Sequence, residues 1–349
     1  MNRCPIVTVI TPTYNHQNFI GHCVDSVLAQ SYSNWEQIVI DDGSTDRTAE
    51  IARRYNDPRV RYVYQENQGL EALAHTYNRA LAMARGTLIA ILEGDDAWPE
   101  DKLERMVEVF ADPEVVLAYG EMREIDPAGS LAQRMSNTSR RRKELSRSIL
   151  FNDPVRSAAA YMLTVHGHSL VSASTAVIRR SALEAIGGFQ YVPGQCYVDY
   201  PTFINLVFEG KFFHFPEVVG YRRSHSASAT VQLGDKMARV AREYLSTLLT
   251  DSRFALTADQ RSAIEREWET VECGQEFALG RLCALQGRWQ EAREHFARGL
   301  SFSDLRVFAG ACAGWVLSWM KCDLEELFRL AGRASLKADQ MADGRVGSV

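Results

Sequence analysis

The stretch Leu88–Pro99, LIAILEGDDAWP, does most to narrow what this chain can fold into. Five apolar residues, Leu88 to Leu92, have the length and composition of a strand buried on both faces of a parallel sheet. Glu93, Gly94, Asp95 and Asp96 follow at once, and Pro99 suits the first turn of a helix. Open α/β sheets bind ligands outside the carboxyl ends of their strands, which is where the two aspartates fall. Adjacent carboxylates there repel and raise each other's pKa unless a cation shields them. A hard divalent ion shared with substrate phosphates resolves that conflict. Taken alone, the pair reads first as an acidic turn capping the helix at 99–111; the rest of the chain reverses that preference.

Around this stretch strands alternate with helices. Residues 6–11 (IVTVIT) are expected to form a strand and PTYNHQN the turn leaving it; Ile20, Val24, Val27 and Leu28 then share one helical face. A strand at 37–40 runs into Asp41-Asp42-Gly43-Ser44, with Ser44 or Thr45 capping a helix to about Tyr55. Strands at 60–64 and 115–119 and helices over 70–85 and 99–110 continue the series, with Gly86 suiting a left-handed cap. That spacing predicts an α/β fold, a doubly wound and mostly parallel sheet with helices on both faces and right-handed crossovers. The pattern then breaks. Residues 123–148 are polar, and SRRRKELSR (Arg140, Arg141, Arg142, Lys143, Arg147) reads as a solvated loop. Its functional alternative is a mobile basic lid near phosphates or an anionic membrane surface. A strand, a short helix and a glycine turn are expected over 170–189, a helix at 201–209 and a strand at 211–215.

After about residue 232 only helical patterns remain. Ala278, Leu279, Leu282, Trp289, Ala292 and Phe296 recur at helical spacing on either side of Gln286-Gly287-Arg288, a hairpin like one tetratricopeptide unit. A stable array of such units needs about three, so this one reads as a helical appendage. Residues 305–320 (LRVFAGACAGWVLSWM) suit a buried or an interfacial helix. The expected organisation is an α/β domain over 1–232, a helical region over 233–333 and a disordered tail over 334–349.

Composition excludes several classes. The 349 residues are 46% hydrophobic and 24% charged, ordinary for a globular protein. A net charge of −5 argues against general binding to nucleic acid. The seven cysteines form no CxxC pair, the pattern of buried thiols in a reducing compartment and not of a disulfide framework or zinc site. The first apolar run, Ile6–Ile10, is short and broken by Thr8, so no leader is expected and a cytoplasmic protein is the default. No stretch reaches the roughly 18 apolar residues of a membrane span.

Two acidic turns, Asp41-Asp42 and Asp95-Asp96, thus leave the carboxyl ends of expected parallel strands. If those strands are neighbours, one turn can accept hydrogen bonds from a base or ribose while the other holds a metal on a diphosphate. No GxxxxGK[ST] and no GxGxxG after the first strand are present, so this is a nucleotide site of neither the P-loop nor the dinucleotide kind. Asp199, beside Tyr197 and Tyr200, is a candidate general base whose pKa enclosure would raise; its plainer reading is a helix N-cap.

At this point VTVITPTYNHQNFIGHCVDSVLAQSYSNWEQIVIDDGSTDRT, then ENQG, then ARGTLIAILEGDDAW resemble the inverting nucleotide-sugar glycosyltransferases of family 2, with the GT-A fold. The likeness covers about residues 5–120 and continues loosely through AVIRRSALEAIGGF, VDYPTFINLVFEGKFFHFP and YRRSH to about 230. It implies that Pro12, Thr13 and Tyr14 touch the nucleotide and that Asp42, with Asp41 beside it, reads the base. Asn67 and Gly69 of ENQG and Asn78 of the following helix fall on the same donor. It implies further that Asp96 ligates a divalent metal, Mg²⁺ or Mn²⁺, that Asp95 meets the ribose, and that His225 approaches the metal or diphosphate. Asp199 matches the residue that deprotonates the acceptor hydroxyl. Three positions depart from the family pattern. Val198 replaces a glutamate before the base, Glu93 replaces an aspartate, and Tyr77 precedes Asn78 where an arginine is common. A diphosphate contact from that helix is then missing, or supplied by Arg79 or the basic loop.

The expected reaction is inverting transfer of a sugar from a nucleotide-diphosphate sugar to a saccharide or lipid-linked acceptor. The resemblance places it in bacterial surface polysaccharide or glycolipid synthesis, with peripheral contact at the inner face of the plasma membrane. A nucleotidyltransferase would instead need a glycine-rich basic loop after the first strand, which PTYNHQN does not offer. A non-catalytic scaffold on a decayed transferase domain would not need to keep all four motif aspartates and Asp199.

Overall fold

The computed structural model describes residues 6–135, 171–194, 198–225, 240, 243–300 and 305–321. The basic run 140–147, Tyr197 and the tail beyond 334 lie outside them. The chain divides into two compact units, Met1–His225 with Met237–Tyr244, and Ser226–Lys236 with Leu245–Val349.

The first unit is built on eight strands: β1 (Val7–Thr13), β2 (Trp35–Asp42), β3 (Val60–Gln65), β4 (Leu88–Ile91), β5 (Val115–Ile125), β6 (Leu131–Met135), β7 (Val177–Arg179) and β8 (Lys211–Arg223). Their order is β3-β2-β1-β4-β7-β5-β6, with β8 on β5. Among the described residues its helices are α1 (Ile20–Leu28), α2 (Thr48–Ala52), α3 (Leu73–Met83), α4 (Lys102–Glu108), α5 (Arg180–Ala185) and α6 (Asp199–Leu206). Apolar residues alternate along β1: Val7 and Val9 join Ile20, Val24 and Val27 of α1 and Leu103 and Met106 of α4 in one core. Ile10, Ile38, Ile40, Ile89 and Ile91 are fully buried too, so the central strands are covered on both faces.

β1, β2, β3 and β4 are parallel, with Thr13 paired to Asp41 and Ile10 to Ile91. Their carboxyl ends therefore open at one edge. The expected parallel order stops at β7, which runs antiparallel to both β4 and β5. Two strands are also much longer than expected. β5 runs on to Ile125 and β8 to Arg223, parallel to each other through several register shifts. Arg123, Glu124 and Arg222 read as loop composition, but cross-strand pairing satisfies their backbone.

Gly86 is needed for close approach and not for a left-handed cap. α3 ends at Ala84 in an extended conformation, and Gly86 is not among the residues with positive φ. A Cβ at Gly86 would lie 2.5 Å from the Thr8 backbone nitrogen. Gly86 N donates to Thr8 Oγ1 at 2.9 Å, and Thr8 donates to buried Glu36, which also accepts from Arg85.

The second unit contains α7 (Ala258–Leu285), α8 (Trp289–Arg298) and α9 (Leu305–Trp319). A capping box of Thr257 and Gln260 starts α7. The α7–α8 hairpin turns at Gly287, whose φ is 74°. Phe277, Ala292, Phe296 and Ala311 form its core. Among the described residues no helix is long and apolar enough to cross a membrane.

Because the atom nearest a Cβ at position 86 is a backbone nitrogen, Gly86→Ala is expected to destabilise the chain by about 2 kcal/mol. Urea unfolding should show a lower midpoint with an unchanged slope.

Candidate active site

The carboxyl edge gathers the two acidic turns. Gly94 N donates to Pro12 O at 3.0 Å, joining the turn after β4 to the end of β1. A Cβ on Gly94 would lie 2.6 Å from Thr13 Oγ1 and 2.8 Å from His16 Nδ1, so only glycine lets these turns close. The turns after β1 and β2 brace each other: Asn15 N donates to Ser44 Oγ at 2.8 Å, and Thr45 N to Asn15 Oδ1 at 2.8 Å.

The long β8 delivers the other half of the site. Ala97 and Tyr221 exchange backbone hydrogen bonds of 3.1 and 2.8 Å, so the acidic turn is pinned beside Arg222, Arg223 and His225. Asp96 is buried: Oδ2 accepts from Ser174 Oγ at 2.6 Å and Oδ1 from Arg223 N at 2.9 Å. Asp95 turns the other way. Its Oδ2 lies 2.9 Å from His225 Nε2 and 4.0 Å from His16 Nε2, and its carbonyl accepts from Arg223 Nε. Asp96 has both oxygens engaged in the fold, while Asp95 and His225 face each other with imidazole donors around one carboxylate. Among the described residues no three His, Cys, Asp or Glu side chains stand at metal-holding geometry.

Ser174 is an anchor that no sequence pattern singled out. Besides its bond to Asp96, Oγ accepts from Glu93 N at 3.1 Å, and its carbonyl accepts from Trp98 Nε1 and Lys102 Nζ. Lys102 is buried over the face of Trp98 at 4.0 Å, and burial lowers its pKa well below the usual lysine range.

Electrostatics separate the carboxylates. Burial opposes ionisation of Asp95, but the hydrogen bond from His225 and the charges of His16 and His225 outweigh it and hold its pKa low. Asp96 is raised by burial and then by the charge of Asp95. Glu93 is pushed up to about 8 by burial and by Asp95, against the hydrogen bond that the Tyr77 hydroxyl donates to it. Asp199 opens α6, accepts from Tyr200 N at 2.8 Å, and is pushed up to about 6 by burial. The charge of Asp199 acts on Glu93 and on Tyr77, and that of Arg222 on both Asp96 and Asp199. Asp199 therefore stands within electrostatic reach of the second acidic turn.

On the side of the first acidic turn, Asp42 Oδ1 accepts from Gln65 Nε2 at 2.6 Å and Gln68 N at 3.1 Å. Asn67 Nδ2 donates to the Asp42 carbonyl, and Gly69 takes a φ of 79° at the end of this loop. Pro12 and Thr13 are buried and Tyr14 is 43% exposed. Two of the expected donor-site residues also hold the fold together. Asp41 is fully buried and accepts from Tyr62 Oη at 2.6 Å and Ser44 N at 2.9 Å. Both polar atoms of the Asn78 amide pair with the Phe189 backbone at 2.8 Å. Arg79 reaches Gln65 and the Tyr64 carbonyl, on the side of the first acidic turn. Arg222 was visible only as part of YRRSH, with nothing to tell it from its neighbour; strand register separates them, because Arg223 is consumed by Asp95, Asp126 and Pro127 carbonyls.

Residues 8–187, just over half of the chain, match the model described as glycosyl transferase family 2. The chain belongs to that family. A family relative, TuaG of Bacillus subtilis (strain 168), bears the name of a teichuronic acid biosynthesis glycosyltransferase and is 41% identical over 120 residues, 34% of this chain and 47% of that one. WfgD of Escherichia coli, named as a UDP-Glc:α-D-GlcNAc-diphosphoundecaprenol β-1,3-glucosyltransferase, is 35% identical over 115 residues, 33% of this chain and 45% of that one. The chain thus spans less than half the length of either curated relative. Among solved structures, the mannosyltransferase PcManGT from Pyrobaculum calidifontis, in complex with GDP-Man and Mn²⁺, superposes with a TM-score of 0.56 at 21% identity, over 91% of this chain and 81% of that one. That likeness shows the GT-A type of fold.

A carboxyl whose pKa rises on folding stabilises the protein below its unfolded value and loses that contribution as pH rises through the folded one. For Glu93 this window runs from the ordinary glutamate range to about 8. Glu93→Gln should therefore flatten the fall in Tm between about pH 5 and about pH 9 that the ligand-free wild type shows, measured by scanning calorimetry.

Proposed function

We propose that this family 2 chain transfers a sugar from a nucleotide-diphosphate sugar to a hydroxyl acceptor in a single inverting displacement. The observation that supports this reading is the electrostatic coupling of Asp95, Asp96, Glu93 and Asp199 near the carboxyl edge of the sheet. The first acidic turn is the nucleoside end of the site. Asp42, held by Gln65 and Gln68, keeps an oxygen for a base or ribose donor, and exposed Tyr14 offers a ring face to the base.

Asp95 and His225 fit a divalent cation. The 2.9 Å contact between them is a hydrogen bond whose place a cation would take, and His16 Nε2 lies 4.0 Å from the same oxygen. Two protein donors leave the remaining places for phosphate oxygens, as Mg²⁺ and Mn²⁺ sites on nucleotides commonly do. When bound, such an ion supplies positive charge to the departing diphosphate. Arg222, whose charge reaches Asp96 and Asp199, is the side chain available to the same phosphates.

Asp199 takes the proton from the attacking hydroxyl. Its pKa of about 6 lies close to neutral pH, which balances the fraction ionised against basicity. Half-buried Glu93, held by Tyr77, stands nearby without a second full charge beside Asp95. The names of the relatives support a saccharide or lipid-linked acceptor in bacterial surface polysaccharide synthesis.

A base must be deprotonated to act, so sugar transfer should rise with pH through about 6 and level off above it. Asp199→Asn should keep nucleotide-sugar affinity in calorimetry and lose at least about a hundredfold in kcat. Near-normal turnover of that variant removes Asp199 from its role. Asp95→Ala should abolish the gain in nucleotide-sugar affinity that Mn²⁺ brings. Asp96→Asn should lower Tm and leave much of that gain, because its oxygens are bound to Ser174 and Arg223.

A further inference from the structure

Gln65 ends β3 beside the first acidic turn, and its amide is held one way round. Its oxygen accepts from Arg79 Nη1 at 2.9 Å; its nitrogen donates to Asp42 Oδ1 at 2.6 Å and to Thr76 Oγ1 at 2.8 Å. Turned over, the amide would set its oxygen against the Asp42 carboxylate and its N–H groups against the guanidinium. Thr76 and Arg79 stand one turn apart on α3. One helix face therefore fixes a buried amide, and the amide fixes the acid.

The consequence falls on what Asp42 can offer a ligand. Oδ1 accepts twice, from Gln65 Nε2 and from Gln68 N at 3.1 Å, which fills the lone pairs of that oxygen. The Asp42 carbonyl is taken by Asn67. Half-buried Asp42 thus keeps Oδ2 alone, which has no partner among the described residues. Bases differ in what they ask of such an oxygen. Uracil carries a single N–H on its pairing edge, at N3, and one acceptor satisfies it. Guanine carries donors side by side at N1 and N2, and a carboxylate meets both only with both oxygens. Here the second guanine donor would face an oxygen already filled, and its hydrogen bond would go unmade.

We infer that Gln65, oriented by Arg79, is a positioning residue that leaves Asp42 one open oxygen and so sets the site against guanine, toward a base with a single donor such as uracil. The inference rests on the reading of Asp42 as the base contact. UDP and GDP, identical but for the base, are titrated into the full chain by calorimetry with Mn²⁺ present. UDP is expected to bind at least about tenfold more tightly. Arg79→Met, at an exposed position, should keep wild-type Tm and narrow that ratio at least about threefold. Arg79→Lys, which still donates to the Gln65 oxygen, should restore it. A loss of stability alone would not move the ratio, and an arginine that served the diphosphate would weaken UDP and GDP alike when removed. Equal affinity of the wild type for the two, or tighter GDP, overturns the proposal. So does a ratio that Arg79→Met leaves unchanged. Asp42→Asn separates this from failure of the underlying reading. Its amide oxygen would be taken by Gln65 and Gln68, turning N–H groups toward the base, so UDP should weaken at least about tenfold. Unchanged UDP affinity in that variant removes Asp42 from the base and takes the proposal with it. Binding of neither nucleotide to the wild type counts against the donor reading as a whole, and against this inference with it.

Discussion

The buried carboxylate of Asp96 is what the site's geometry depends on. It takes the hydroxyl of Ser174 on one oxygen and the amide of Arg223 on the other, joining chain segments separated by 78 and 127 residues. A carboxylate at that depth without partners would be strongly destabilising. With them it locks the turn after β4, so that Asp95 can only face away toward His225 and His16. Ser174 carries this role further, since Trp98 and Lys102 both close on its carbonyl. One buried acid thus orients a half-buried one beside it.

Identical chemistry in different surroundings then yields different behaviour. Asp95 stays ionised because two histidines face it; Glu93, two residues earlier, has only a phenol and the repulsion of its neighbours, and its pKa climbs to about 8. Asp199, half-buried at the start of α6 and steadied by backbone amides, stands between them at about 6. Carboxylates driven apart in this way can divide binding, neutral hydrogen bonding and proton removal among themselves. The strand order is what makes this division available. β1, β2 and β4 are adjacent and parallel, so their final residues share an edge. β8 runs parallel to β5 far enough to bring Arg222 and His225 to that edge.

The second unit follows other rules. Its core of Phe277, Ala292, Phe296 and Ala311 closes three helices on one another and leaves the far side of the last one apolar and exposed. The family match ends at residue 187, before these helices begin. Their composition therefore answers to needs other than the shared chemistry of the sheet.

Local signals in the sequence were enough for the parallel half of the sheet and for the acidic turns. A buried parallel strand needs an unbroken apolar run, and a ligand-binding turn at its end needs glycine and acid, so LIAILEGDD and QIVIDDGS announce both within a few residues. The partner of Glu93 was on the page as an unexplained Tyr77, a departure without a meaning until the two met. Only the tertiary structure decided which of two adjacent aspartates turns inward, that Asp41 and Asn78 serve the fold, and that polar stretches near 123 and 222 are strand. The physical reason is the same in each case. Which way a side chain turns, and whether a polar backbone is paired, depend on hydrogen-bond partners such as Ser174, Arg223, Tyr62 and Phe189. Apart from the nearby Tyr62, these lie about eighty to a hundred and thirty residues away, where no local pattern reaches.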